Sequence, residues 1–262
     1  MTRICGGRPS VFPIKASKYA LKPRTRDDRS KLVRAAYLRD RDFDFLPADD
    51  GVGPVIDAYD DDNTVLGWRW RRHSIENYIL DPEIVGRALT ALGLHFDRQA
   101  YNEALILAGK TIACYQAARW TIGQKRAALP SNYKLNTGVV EEGYAKPEDA
   151  AMTKNDARDW LINQCATFSG AVVHLLDKQT VEDAFNCFVS KFNTSICQST
   201  DAILVNFSGK DLMTALADWR QRYGMPNPGD LCDSIKRWMM DNSDEVITAL
   251  PEWRALIDVL RR

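Results

Sequence analysis

A chain of 262 residues is long enough for one sizeable domain, or for a domain with a helical annex. Its hydrophobic content of 45% and charged content of 27% are typical of a soluble globular protein, and no stretch is apolar enough to span a bilayer. Six scattered cysteines and three dispersed histidines argue against a disulfide framework or a zinc site and favour a reduced, cytoplasmic protein.

The net charge of zero conceals an uneven distribution. Residues 1–41 carry twelve Lys or Arg and three Asp, whereas residues 42–66 carry eight Asp and no Lys or Arg. A basic segment beside an acidic one fits a metal site next to a phosphate-binding surface. The same pattern also fits a basic terminus followed by a solvated acidic loop, and charge alone does not separate the two.

The first part of the chain predicts short strands. Residues 2–5 form a candidate strand, and residues 11–21 have mixed helical spacing. The apolar run from Val33 to Leu38 predicts a buried strand that leads into Asp40 and Asp42. Residues two apart in a strand project to the same side, so these two carboxylates can point together.

Paired carboxylates repel each other unless a cation lies between them. A hard divalent ion with oxygen ligands, Mg²⁺ or Mn²⁺, is the natural partner of Asp40 and Asp42. The alternative is a strand that runs into a solvated acidic loop, since structural charge clusters are common. The following residues, 45–63, have the composition of a turn-rich loop.

A second strand is predicted over residues 64–70, where aromatic and basic residues alternate. Arg69, Arg71 and Arg72 at its end could hold phosphates, or could form a paired, solvated strand edge. For the next residue, His73, a packed histidine is favoured over a proton shuttle.

Glu76 then begins a helical segment. It could bind a metal ion, or it could simply be a carboxylate that the helix dipole stabilises. From Pro82 to about residue 200 the spacing of apolar residues becomes helical, with a polar, irregular stretch over residues 121–147. Such an insertion can bind a substrate or a partner, or can serve as structural cover.

Residues 201–207 return to a strand-like apolar pattern, and Gly209 and Lys210 then begin a helix. The segment is not a Walker A motif, because Leu204 stands where its first glycine belongs and Asp211 follows the lysine. Lys210 could contact a phosphate, because helix starts favour anions, or could be an exposed surface lysine. The remaining residues predict two closing amphipathic helices.

Three of these segments together resemble the TOPRIM nuclease domain, in the version found in OLD-family (overcoming lysogenization defect) nucleases and related phage-defence effectors. The segments are LRDRDFD, RRHSIENYILDP and the stretch that ends in Gly209-Lys210. In that family, a strand ending in Asp-x-Asp precedes an Arg-rich segment with a Glu-Asn-Tyr-Leu-like helix start. A later strand leads to a Gly-Lys that opens a helix. The resemblance covers most of the chain.

The resemblance implies an α/β fold with a small, mainly parallel TOPRIM-like sheet flanked by helices. Residues 1–81 would form the first part of the core, and residues 82–200 a helical insertion. Residues 201–262 would supply the last core strand and the C-terminal helices.

The resemblance also implies a metal-dependent nuclease that cleaves phosphodiester bonds of DNA or RNA with Mg²⁺ or Mn²⁺. Its metal ligands would be Asp40, Asp42 and Glu76, which with Lys210 form the catalytic set. Arg69, Arg71 and Arg72 would hold flanking phosphates. These residues are expected to converge in one cleft, because a parallel sheet gathers its active residues at strand ends.

One feature departs from the family. The family's first strand ends in a metal-binding glutamate, and this sequence has no glutamate before Glu76. We expect that this unit lies on another polypeptide, or that the protein is truncated or degenerate. Related effectors work with an ABC-type ATPase, so an ATPase partner in a cytoplasmic anti-phage system is implied, with no role for a membrane. The alternative is a non-catalytic TOPRIM-derived subunit that binds nucleic acid or another protein.

Overall fold

The computed structural model describes residues 2–5, 8–11, 18–31, 35–47, 52–129, 147–166 and 176–261. These residues form two compact units. The first, called the sheet unit, contains the described residues of Met1–Arg41, Pro47–Arg72 and Asn242–Arg262. The second, called the helical unit, contains those of Asp42–Leu46 and His73–Asp241. The domains expected from the sequence divide the chain at other positions, after residues 81 and 200.

The described strands all lie within the first 69 residues, and helices form most of the described chain after residue 75. The strands are β1 (Thr2–Cys5), β2 (Arg8–Val11), β3 (Ala35–Arg39), β4 (Val55–Tyr59) and β5 (Val65–Arg69). The helices are α1 (Lys18–Lys31), α2 (Glu76–Ile79), α3 (Pro82–Ala91), α4 (Arg98–Ala127), α5 (Pro147–Ala150), α6 (Lys154–Ala166), α7 (Lys178–Thr194), α8 (Thr200–Asn206), α9 (Gly209–Ala215), α10 (Ala217–Gln221), α11 (Pro228–Asp241), α12 (Ser243–Ala249) and α13 (Pro251–Arg261).

The strands form one sheet in the order β2-β1-β3-β5-β4. Strands β3 and β5 are parallel, with Tyr37 opposite Gly67 and Arg39 opposite Arg69. The other three neighbouring pairs are antiparallel. The α/β class and the small sheet flanked by helices agree with the expectation from the sequence. The described sheet is mixed, however, so its mainly parallel character is not confirmed.

Strands β1, β3 and β5 are predicted by the sequence pattern and confirmed, whereas β2 and β4 are missed. Strand β3 alternates between buried and partly exposed residues, with Ala35 and Tyr37 buried, while Val33 lies outside the described residues. Strand β5 falls within the predicted strand over residues 64–70. Strand β4 lies in the stretch expected to be a turn-rich loop. Its central residue, Asp57, lies in the acidic stretch 42–66. The contacts that hold Asp57 in a strand come from residues that are distant in the sequence.

The strand expected over residues 201–207 is wrong, because residues 201–206 belong to helix α8 and Phe207 directly follows it. The side chain of Ser199 caps the helix by accepting a hydrogen bond from the Ala202 N–H at 3.4 Å. Ile203, Leu204 and Val205 are buried. A short apolar run looks the same in a buried strand and in a buried helix, which explains the error. This segment is therefore not part of the sheet.

Helix α4, with 30 residues, is the central element of the helical unit. The Asp97 side chain caps its start by accepting from the Ala100 N–H at 3.0 Å, and α6, α7 and α9 pack along its length. The helical pattern expected after Pro82 is confirmed in the described residues. The irregular stretch expected over residues 121–147 is wrong at its start, because α4 continues to Ala127, and residues 130–146 lie outside the described residues. The C-terminal part forms three helices where two were expected. Among the described helices, none combines the length and apolar character needed to cross a membrane.

Candidate functional site

The parallel pair β3 and β5 brings two motif segments to one edge of the sheet unit. The Trp70 N–H donates to the Arg39 carbonyl at 3.0 Å, which extends the pairing one residue beyond β5. Asp40 directly follows β3, and Arg69 ends β5. Asp40 and the arginine segment, defined as residues 69–72, therefore lie at neighbouring carboxyl ends, where α/β sheets place their ligand-binding residues.

A buried carboxylate, Asp57, lies beside this edge and was not selected from the sequence. Its side chain is 1% exposed and accepts hydrogen bonds from the Tyr37 hydroxyl at 2.5 Å and from two nitrogens of Arg39, each at 3.0 Å. Arg69 Nη1 lies 3.5 Å from Asp57 Oδ1 and donates to the Ile56 carbonyl at 3.0 Å. Part of the hydrogen-bonding capacity of Arg69 is therefore used inside the sheet.

These contacts change the pKa values of Asp57 and Tyr37. Burial acts to raise the pKa of Asp57, but hydrogen bonds from Arg39 and Tyr37 and the positive charges of Arg39 and Arg69 outweigh it. The pKa of Asp57 consequently lies below its ordinary value. Burial and the hydrogen bond to Asp57 raise the pKa of the Tyr37 phenol above its ordinary value. Asp57 is thus an ionised carboxylate that ties three strands together.

The backbone of Arg71 is held from both sides by buried charged side chains. Its N–H donates to Glu252 Oε1 at 2.6 Å, and its carbonyl accepts from Arg41 Nε at 3.1 Å. Trp70 stacks on Trp253 with 5.4 Å between ring centroids. Helix α13 thereby fixes the middle of the arginine segment. The sequence marks Glu252 only as an acid in the first turn of a helix, because its partner lies 181 positions away.

In the helical unit, Asp42 begins a tight turn over residues 42–44. Its φ of 50° is a left-handed conformation that Asp and Asn tolerate better than most residues. The Asp42 N–H donates to the His73 carbonyl at 2.9 Å. The Phe43 ring packs against His73 at 4.3 Å and against Trp120 at 5.1 Å, measured between centroids. His73 is 3% exposed and is a packed histidine, as expected.

Two of the predicted site segments meet in the helical unit. Glu76 is the first residue of α2, and Gly209 is the first residue of α9. A Cβ on Gly209 would lie 2.7 Å from the Glu76 Cβ and 2.9 Å from the Asn77 backbone nitrogen, so glycine is required at this approach. Lys210, which is exposed, therefore belongs to a helix start that lies directly against Glu76.

Three side chains from other elements hold the residues around the start of α9, called the α8–α9 junction and defined as residues 206–209. Each bonds to the backbone of a different junction residue. The bonds run from Trp120 Nε1 to the Asn206 carbonyl (2.7 Å), from Asn77 Nδ2 to the Phe207 carbonyl (2.9 Å) and from the Ser208 N–H to Gln116 Oε1 (3.0 Å). Side chains of α4 and α2 thus hold the junction in place.

Lys236 is a further cation near Glu76 that the sequence pattern did not single out. It lies on α11, which packs against α2. Burial acts to lower the pKa of Lys236, but its hydrogen bond with the Cys232 sulfur and the negative charges around it, Glu76 included, outweigh this. The pKa of Lys236 therefore lies above its ordinary value, and the side chain stays cationic. The sequence pattern predicted only a closing amphipathic helix here and gave no sign that Lys236 lies near Glu76.

The predicted site residues fall into two groups, each described within its own unit. Asp40 and the arginine segment belong to the sheet unit, and Asp42, Glu76 and Lys210 belong to the helical unit. Their convergence in a single cleft stays a prediction. The oxygen donors suit Mg²⁺ or Mn²⁺. Their grouping does not yet match a metal centre, because within the described ranges no three His, Cys, Asp or Glu side chains lie close enough to hold one ion.

A groove of about 490 Å³ lies elsewhere in the helical unit. It is bordered by α4, through Leu107 and Thr111, and by the α9–α10 region, through Thr214, Trp219 and Arg222. None of the site residues expected from the sequence lines it. The groove and the contact between Glu76 and the α8–α9 junction are therefore separate features.

The resemblance to TOPRIM nucleases rests on the three sequence segments named above. The described contacts join parts of these segments within each unit, through the β3–β5 pairing and through the approach of Gly209 to Glu76. Comparisons of the chain with protein-family models, with curated proteins and with solved structures found no match.

Proposed function

We propose that the chain is a metal-dependent nuclease with a TOPRIM-like core, which cleaves phosphodiester bonds in DNA or RNA. The observation that carries the proposal is the approach of Gly209 to Glu76, which joins a carboxylate segment and a lysine segment from distant parts of the chain. Phosphodiester cleavage needs positive charge where negative charge develops on the phosphate.

The basic residues bind different phosphates of the nucleic acid. Lys210 contacts the phosphate at the site of cleavage, and Lys236 adds positive charge near Glu76. Arg71 and Arg72 hold flanking phosphates, because contacts of this kind position a nucleic acid without reading its sequence. Arg69 contributes less to substrate binding, since its guanidinium already contacts Asp57 and a backbone carbonyl.

The proposed metal ligands are Asp40, Asp42 and Glu76, with Mg²⁺ or Mn²⁺ as the cofactor. The parallel pairing of β3 with β5 supports a TOPRIM-like core, because it puts Asp40 at a strand end of the kind that such sites use. The glutamate that TOPRIM nucleases carry on their first strand has no counterpart before Glu76. We therefore propose that isolated protein has low activity and that a partner, or a longer form of the protein, supplies a further carboxylate.

The proposed setting is anti-phage defence in the cytoplasm, beside an ABC-type ATPase partner. Support comes from the resemblance, and from the Gly209-Lys210 segment, which lacks the Walker A spacing needed to bind a nucleotide. A partner with its own nucleotide site would then control when the nuclease acts.

A cleavage assay tests the reaction. Purified protein is incubated with Mn²⁺ or Mg²⁺ and with DNA or RNA, alone and together with the ATPases encoded beside its gene. We expect weak cleavage alone and stronger cleavage with the right partner, and Lys210→Ala should lower the rate about a hundredfold. Lys191→Ala, at an exposed position in the last turn of α7, is the control and should leave the rate unchanged.

Two outcomes would reject the nuclease proposal. Brisk cleavage that survives both Asp42→Ala and Lys210→Ala would show that the activity belongs to another site or to a contaminant. Binding of nucleic acid without cleavage, under every metal and partner condition, would favour the non-catalytic binding subunit instead.

Metal binding is tested separately from cleavage. A ligand that binds only the folded protein raises its melting temperature. We expect Mn²⁺ to raise the melting temperature of the wild type, and the double variant Asp40→Ala with Asp42→Ala to lose this increase. Asp61→Ala, which removes a carboxylate that is 95% exposed, is the control. An unchanged increase in the double variant would exclude these two aspartates as ligands.

A further inference from the structure

Helix α4 contributes side chains to two of the three predicted site segments of the helical unit, those of Asp42 and of Lys210. Gln116 and Trp120 bond to the backbone of the α8–α9 junction. Trp120 and Arg119 pack on Phe43, the residue that follows Asp42, with the Arg119 Cζ atom 4.4 Å from the ring centroid. The sequence pattern predicted only that this helix belongs to an insertion. Its contacts make it the common support of two motif segments.

Arg119 also reaches the start of α9 through a buried carboxylate. Asp211 is 3% exposed and directly follows Lys210. Its Oδ2 atom accepts a hydrogen bond from Gln116 Nε2 at 2.6 Å and a second, charge-assisted one from Arg119 Nη1. Charge-assisted hydrogen bonds are stronger than neutral ones, so α4 holds this carboxylate firmly.

The orientation of Gln116 is fixed by its two partners. A carboxylate only accepts hydrogen bonds and a backbone N–H only donates them. The amide nitrogen of Gln116 must therefore face Asp211, and its amide oxygen must face the Ser208 N–H. One side chain thus bridges the residue before Gly209 and the residue after Lys210.

A buried ion pair is not an efficient way to pack two helices. The loss of hydration nearly offsets the attraction between the charges, so apolar side chains of similar size would join α4 to α9 about as well. A polar network instead selects one geometry, because its directional bonds must all be satisfied together. The exposed side chain placed by this geometry is Lys210.

We propose that Asp211 and Arg119 are positioning residues, which fix the start of α9 so that the Lys210 ammonium is held ready for the phosphate of a nucleic acid. Neither residue contacts the substrate. The phosphate-binding role of Lys210 rests on the proposed function, but it requires only binding and not cleavage. The two ideas can therefore fail separately.

The first test measures the chemical reactivity of the Lys210 amine. Wild type, Asp211→Asn and Glu182→Gln are labelled with acetic anhydride and analysed by mass spectrometry, with and without a short oligonucleotide, in the presence of EDTA. Glu182→Gln weakens the ion pair with Arg158 between α6 and α7 and serves as the matched control.

We expect the oligonucleotide to protect Lys210 in the wild type and in Glu182→Gln, and this protection to be lost in Asp211→Asn. Equal protection in Asp211→Asn and in the wild type would overturn the positioning role. Absence of protection in the wild type would overturn the phosphate-binding role of Lys210, and the proposal with it.

The second test uses kinetics to separate positioning from simple stabilisation. Well below the melting temperature of each variant, Asp211→Asn and Arg119→Met should lower kcat about a hundredfold with little change in KM, the effect of a small misplacement. The double variant should be no worse than either single variant, because both disturb one geometry. An unchanged kcat in folded Asp211→Asn would contradict the proposal. Protection of Lys210 that is lost in Asp211→Asn, without cleavage by any variant, would reject the nuclease and still support the positioning role.

Discussion

The arginine segment of the sheet unit and the α8–α9 junction of the helical unit are both held by buried side chains, but of different kinds. Arg71 is held by two charged groups, with Glu252 on its N–H and Arg41 on its carbonyl. The groups that bond to the junction backbone are an indole and two amides, all neutral. The charged pair Asp211 and Arg119 does not bond to this backbone directly. It is linked to the junction through Gln116, which bonds to Asp211.

The two arrangements have different requirements. A buried charge is tolerated only while its partner is present and ionised, because an isolated charge in a protein interior is strongly unfavourable. Indole and amide groups keep their hydrogen-bonding pattern at any pH at which the protein is folded. The sheet unit should therefore respond most to removal of charge, and the neutral groups that bond directly to the junction backbone to changes of shape. In the helical unit, removal of charge acts on the junction indirectly, through the Asp211–Arg119 pair.

The largest effect is expected from Asp57→Asn, which removes a buried charge in the sheet unit and keeps the size of the side chain. Removing one partner of a buried ion pair costs about 3–5 kcal/mol. The Asp57 side chain is 1% exposed and that of Arg39 is 12% exposed, so solvent can replace little of the interaction. Hydrogen exchange followed by mass spectrometry should show faster exchange in peptides from β3, β4 and β5.

The matched control is Asp61→Asn, which removes an acid from an exposed pair with Arg26 in the same unit. Exposed pairs contribute little because water and salt screen them. We expect no change in exchange for this variant. Similar effects of Asp57→Asn and Asp61→Asn on hydrogen exchange would mean that the buried contacts of Asp57 stabilise the sheet no more than an exposed ion pair does.

The next largest effect is expected from Gly123→Ala, which changes shape in the helical unit without touching a charge. A Cβ at this position of α4 would lie 2.2 Å from the Phe43 carbonyl oxygen, so the turn over residues 42–44 must shift. Overpacking of this kind costs about 1–3 kcal/mol. Exchange should increase in peptides that contain the turn and the facing part of α4.

Gly229→Ala is the control for the glycine substitution. This residue lies at the start of α11, where an added Cβ would meet no atom within 4 Å. The change should be neutral or slightly stabilising, because alanine favours helix more than glycine does. Equal behaviour of the two glycine variants would show that the turn is not pressed against α4.

Elements that a single segment determines could be predicted from the sequence. The strands over Ala35–Arg39 and Val65–Arg69 were found because their apolar and aromatic residues stand out against polar flanks. The helix starts at Glu76 and Gly209 were also found. Each of these signals lies within about ten residues of the element that it predicts.

Features that depend on distant partners could not be predicted in this way. Helix α8 was expected to be a strand, because its apolar run does not reveal that α4 packs against it. Asp57, Asp211 and Glu252 have their roles through partners 18, 95 and 181 positions away. Charge and spacing show that an acid is present, and only the fold shows what it binds.

The smallest effect that we expect is a pH dependence specific to the sheet unit. The folded pKa of Asp57 lies below its ordinary value, whereas in the unfolded chain the pKa is about 3.9. The carboxylate therefore contributes its full stability above about pH 4, and the contribution is lost as the pH falls through the folded pKa. Other carboxylates titrate equally in the wild type and in Asp57→Asn, so their effects cancel in the difference.

Urea denaturation of the two proteins over a series of pH values measures this difference in unfolding free energy. It should stay constant from neutral pH down to about pH 4 and then shrink in acid. The corresponding difference between the wild type and Gly123→Ala should not change with pH, because no titratable group is altered. A difference for Asp57→Asn that instead grows as the pH falls from neutral would mean that the folded pKa is raised and that Asp57 is protonated in the folded protein. Asp57 would then hold the strands as a neutral hydrogen-bonding group, and the contrast between charged contacts in the sheet unit and neutral contacts at the junction would be lost.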